Sequence, residues 1–176
     1  MKLFRSINRF FNRISYDVQK INYRKIGIVA GVFLVVGILS WLISGRADRV
    51  SVLYSFPRCA MPLAYAFIIW GIFFAIFGCI IGGIIFSCEK YRRNIAIKIT
   101  FLLLIAYLCA LCVYPLFFRA IMPLVSFFIL LLAIIFCIFA MLDSIKINSL
   151  WSICILLEVL WLIYNAYTTL AFVFIN

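Results

Sequence analysis

The chain has 176 residues, 69% of them hydrophobic, and a mean hydropathy of +1.26. That leaves too little polar surface to cover a globule of this length, which excludes a soluble domain and points to an integral membrane protein. Sixteen Lys and Arg against five Asp and Glu give a net charge of +11, but the basic residues are distributed among the gaps between apolar runs, so they read as topology and attraction to anionic lipid, not as a nucleic-acid surface.

The first 25 residues, MKLFRSINRFFNRISYDVQKINYRK, place Leu3, Ile7, Phe10, Ile14, Val18 and Ile21 at helical spacing, while Arg5, Arg9 and Arg13 recur every fourth residue. This pattern predicts a basic amphipathic helix over 1–25 that lies in the membrane interface. Residues 26–176 then predict an all-α membrane domain of five spans, at about Ile26–Gly45, Met61–Ser87, Ile99–Phe118, Ile121–Met141 and Leu150–Ile175. The runs are continuous and do not alternate with period two, which excludes a transmembrane barrel. Seven basic residues precede the first span, four flank the second loop and Lys146 lies in the fourth, against Arg46, Arg49 and Arg58 in the first loop and Arg119 in the third. The positive-inside rule therefore predicts a multi-pass protein of the cell membrane with its N-terminus in the cytoplasm and its C-terminus outside. The stretch from Ser44 to Arg58 is the longest loop and a candidate lid, whereas Arg119 and Ala120 alone separate the third and fourth spans, which must be antiparallel neighbours.

GxxxG spacing occurs at Gly27/Gly31 and Gly78/Gly82. Glycine at this spacing lets two helix backbones approach closely; contact within the bundle is the expectation, and a homodimer seam the other reading. Seven cysteines are scattered, five of them inside spans, so the Cys109/Cys112 pair reads as ordinary apolar filling at lipid depth. No histidine is present, which removes the commonest metal ligand and general base. No catalytic residue, metal ligand or resident cofactor is assigned, and enzymatic activity is not expected.

Glu158 is the one acid well inside a predicted span, where an unpaired carboxylate costs at least a few kcal/mol. Trp151, Cys154, Glu158, Trp161 and Asn165 share one face of the last helix. The glutamate either bonds a neighbouring helix or faces a ligand, and a second helix favours the ligand: Trp70, Phe74, Phe77 and Ile81 share a face there. An aromatic face opposite a Trp/Glu/Asn face suits a planar apolar molecule, with rings for stacking and a few polar groups for orientation.

The second span opens with Pro57, Pro62, Trp70 and Gly78 in the pattern P-x4-P-x7-W-x7-G, with Phe73-Phe74 after the tryptophan. Leu116-Phe117-Phe118-Arg119 closes the third span, and Trp161-Leu-Ile-Tyr164 precedes a Thr-rich stretch and a terminal Asn176. In this order and spacing, residues 27 to 176 resemble the TspO/MBR family of tryptophan-rich sensory or translocator proteins. The family's paired Gln and Asn of the third helix fall near Ala106 and Ala110, and its Pro-Tyr before the last tryptophan is Leu157-Glu158. The resemblance implies a TspO-like bundle of five transmembrane helices that binds a tetrapyrrole such as a porphyrin, or a similar planar hydrophobic ligand, for transport or sensing. It also implies that Trp70 and Trp161 stand where the family's pocket tryptophans stand. With the residues read above, the candidate ligand-binding set is Trp70, Phe74, Phe77, Trp161, Glu158, Asn165 and Tyr164, with Pro57 and Pro62 as the lid. The expected partners are membrane lipid, the small hydrophobic ligand and a second copy of the chain. The alternative is a small transporter or permease subunit that uses Glu158 as a proton or cation site.

Overall fold

A computed structural model describes residues 22–44, 55–87, 95–120, 122–147 and 149–176. The helix expected over 1–25 lies outside these residues except at its end, where Tyr23–Lys25 belong to the first long helix, and most of the candidate lid, 45–54, lies outside them too. Five helices make up the described chain: α1 (Tyr23–Ser44), α2 (Leu63–Ser87), α3 (Ile95–Arg119), α4 (Pro123–Ile147) and α5 (Ser149–Ile175). Each is long and apolar enough to cross a membrane, and only closed backbone hydrogen bonding of this kind is stable in hydrocarbon. The chain is thus an all-α, multi-pass membrane bundle, as the apolar runs require.

The helix ends follow local chemistry. Asn22 caps α1, its Oδ1 accepting from Lys25 N at 3.3 Å. Prolines occupy the starts of α2 and α4, where a missing N–H costs nothing: Pro62 lies just before α2 with its carbonyl accepting from Tyr65 and Ala66, and Pro123 is the first residue of α4. Pro115 falls inside α3, in its last turn and a half. The third and fourth helices are joined closely, with Ala120 N bonded to Leu116 O and Met122 N to Phe117 O.

Between the fourth and fifth spans the structure departs from the expected loop: α4 runs on to Ile147 and α5 begins at Ser149. Hydropathy marks where lipid ends, not where the helix does. Beyond Met141 the helix keeps its inward face, with Ala140 and Ser144 buried, and Ser144 shares a 2.7 Å hydrogen bond with Ser152 of α5.

The helices close a ring in the order α1, α2, α5, α4, α3, with α3 returning to a lighter contact with α1. Burial is uneven around it. Of the apolar window of each helix, 56% is buried in α2 and 50% in α5, against 11% in α1 and 17% in α3. The second and fifth helices, which carry the candidate faces, are therefore the interior pair.

Gly78 explains how α1 and α2 approach. A Cβ there would lie 2.7 Å from Ala30 Cα and 2.9 Å from Phe33 Cβ, and one on Gly82 would lie 3.3 Å from Val29 Cβ. The second GxxxG thus packs within the bundle as expected. Gly27 and Gly31 do not: nothing among the described residues lies within 4 Å of a Cβ at either. They sit on the outward side of α1 beside the exposed Ile28 and Val32.

Candidate functional site

Trp70, Phe74 and Phe77 are spaced by four and three residues, so one face of α2 carries all three, and each is 4% exposed or less. Trp70 packs among the rings of Phe74 (5.5 Å between centroids), Trp41 of α1 (6.1 Å) and Tyr114 of α3 (6.4 Å). Phe77 lies between Phe33 of α1 (5.2 Å) and Tyr107 of α3 (5.4 Å). The aromatic face of α2 is thus shared with α1 and α3.

On α5, Glu158 and Trp161 are one turn apart and both buried. The Tyr107 hydroxyl donates to Glu158 Oε2 at 2.7 Å, joining α3 to α5 in the middle of both helices. Trp161 stacks on Phe73 of α2, with centroids 4.7 Å apart and planes within 8°, and continues into Tyr164 at 5.5 Å. These three rings form a column on the α2/α5 seam. Trp70 and Trp161 therefore belong to different ring groups on neighbouring sides of α2, and no ring contact joins them among the described residues.

Asn165 is half-buried and donates Nδ2 to the Trp161 carbonyl at 2.7 Å, so its amide nitrogen is engaged by its own helix. The Tyr164 hydroxyl leaves the ring column and donates to the Cys59 carbonyl at 3.0 Å. That bond fastens residues 55–62, the described part of the candidate lid, to α5. Pro57 is buried and its carbonyl accepts from Ala60 N in a tight turn, while Pro62 is exposed. The terminal Asn176 grips the same segment through both backbone groups of Ser55, accepting from Ser55 N and donating to Ser55 O, each at 3.0 Å. Phe56 adds a ring contact with Phe172 at 5.5 Å. The segment is a strap laid along α5.

Among the described residues, several buried polar atoms have no hydrogen-bond partner, including Trp70 Nε1, Trp161 Nε1 and Glu158 Oε1. An unmade hydrogen bond at such a site costs about 1–3 kcal/mol, and native interiors keep few of them. Two indole donors and a carboxyl oxygen are thus left open in the bundle interior. The six described cysteines are free, and the described residues bring no three metal-ligating side chains together.

The candidate list lacked Tyr107, Tyr114 and Phe73. The first two stand seven residues apart on the inward face of α3, a spacing the sequence does show, but nothing in it selects them from the chain's nine tyrosines. Comparison with known proteins found no matching family model, no similar curated protein and no similar solved structure.

Proposed function

We propose that this chain is a TspO-like membrane protein that binds a planar hydrophobic ligand of the tetrapyrrole class at the α2/α5 seam, for transport or sensing. One observation carries the reading: the two most buried helices, α2 and α5, hold Trp70, Phe74, Phe77, Glu158 and Trp161 in the bundle interior, in ring groups on neighbouring sides of α2, and both indole N–H groups lie unpartnered there. Flat rings give a planar molecule stacking surface, and the open donors orient its acceptor edge. The order of motifs from Pro57 to Asn176 supports the family placement. The strap is fastened to the Trp161 column through Tyr164, which touches both. The distribution of basic residues supports a cytoplasmic N-terminus and a strap on the outer side.

The test is tryptophan fluorescence of the detergent-solubilised protein titrated with protoporphyrin, beside a Trp70→Phe/Trp161→Phe variant. Saturable quenching in the parent that is lost in the variant is the expected result. Quenching that is absent, or unchanged by the two substitutions, rejects the site and leaves a transport role for Glu158 as the reading to pursue.

A further inference from the structure

Glu158 of α5 is buried, 1% exposed, and one of its carboxyl oxygens is held by Tyr107 of α3 while the other has no partner among the described residues. The described basic side chains whose exposure is known, Arg24, Lys25, Arg58 and Lys98, are exposed and lie at helix ends or on the strap. The side chain that holds the carboxyl is aromatic. Tyr107, which holds it, packs against Phe77 at 5.4 Å, and Trp161 stands one turn further along α5 with its indole N–H free. A buried carboxyl group with aromatic rings nearby is the chemistry that recognises an organic cation: ring faces carry negative quadrupole density and the acid supplies the counter-charge. The same surroundings disfavour an anion, since a buried carboxyl group offers it no positive partner.

We infer that the part of the ligand lodged deepest in the bundle carries a protonated nitrogen, paired with the open oxygen of Glu158 and flanked by Phe77, Tyr107 and Trp161. This rests on the planar-ligand reading above and narrows it: any carboxylates the ligand carries stay at the strap end, near the exposed Arg58. Tyr107 is a positioning residue, since it fixes one carboxyl oxygen and leaves the other to the ligand.

The experiment compares three tricyclic probes of similar shape and different charge, namely proflavine (cationic), anthracene (neutral) and anthroate (anionic). Each is titrated against the full chain in a neutral detergent by tryptophan quenching, beside Glu158→Gln and Tyr107→Phe. Glutamine keeps the acceptor for Tyr107 and removes the charge. The expected order is proflavine tightest, by about tenfold or more over anthracene, as one close charge pair supplies, with anthroate weakest. Glu158→Gln abolishes that preference, bringing proflavine down to the level of anthracene; Tyr107→Phe reduces it while keeping the order. Equal affinity for proflavine and anthracene in the parent, or a preference that survives Glu158→Gln, overturns the cation site and leaves planar-ligand binding standing. If none of the three probes nor protoporphyrin quenches, both readings fall. Should Glu158→Gln elute as aggregate, the comparison of the three probes on the parent decides by itself.

Discussion

Tyr107 and Glu158 lie 51 residues apart in the chain and 2.7 Å apart in space. Neither could be buried comfortably alone, because a phenol and a carboxyl group at bilayer depth have no water to bond. The pair answers for one oxygen of each, and leaves the second carboxyl oxygen open. Hydrogen bonds between membrane helices contribute about 1 kcal/mol, less than their depth suggests, because the separated helices find other partners in the membrane. Tyr107→Phe should therefore lower stability by about that amount, read as an earlier midpoint in a sodium dodecyl sulfate unfolding titration. Glu158→Leu in the Tyr107→Phe background should recover the loss or exceed it, since no orphaned acid then remains. If the double variant is less stable than Tyr107→Phe alone, the acid is stabilised by something other than this pair.

Close approach between helices is decided by where glycine falls. The α1/α2 contact is built on the absence of side chains at Gly78 and Gly82, and Gly37 plays the same part from the other side, since a Cβ there would lie 2.7 Å from Phe74. Gly83 accepts the flat face of the Trp151 indole from α5. Because the atom opposing Gly78 is backbone, no rotamer change relieves a substitution, and Gly78→Leu should destabilise the bundle by about 2 kcal/mol or more. Gly31→Leu, on the open side of α1, should stay within about 0.5 kcal/mol in the same titration. A large loss at Gly31 would reveal a second copy of the chain seated on that face, and chemical cross-linking of the parent would then show a dimer.

The bundle is closed at one end by its own distant chain segments. Ser55 and Asn176 are 121 residues apart, yet the amide of Asn176 pairs with both backbone groups of Ser55, and Tyr164 holds Cys59 further along the strap. Through Tyr164 the strap touches the same ring column that includes Trp161. Asn176→Ala removes the two hydrogen bonds to Ser55, each contributing about 1 kcal/mol, and local opening of the strap should rise by about tenfold or more. The expected reading is faster trypsin cleavage after the exposed Arg58, followed by mass spectrometry, with helix content unchanged. Cleavage at the parent rate would show that Tyr164 and the buried Pro57 hold the strap without Asn176.

Hydropathy and charge alone established the membrane class, the five spans and the all-α fold, because an apolar run of some 20 residues has no other stable home and must bond its own backbone. Helical spacing likewise placed Trp70, Phe74 and Phe77 on one face and Glu158 with Trp161 on another, since that follows from 3.6 residues per turn. Spacing within a helix says nothing about which helix stands opposite, so the Tyr107 bond, the Phe73–Trp161 stack and the separation of the two tryptophans into different ring groups came only with the fold. The same holds for the glycines: Gly27/Gly31 and Gly78/Gly82 are identical as motifs, and one packs while the other lies open. Asn176 and Ser55 met for the same reason, because the order of helices around the ring brings together residues whose distance along the chain carries no information about it.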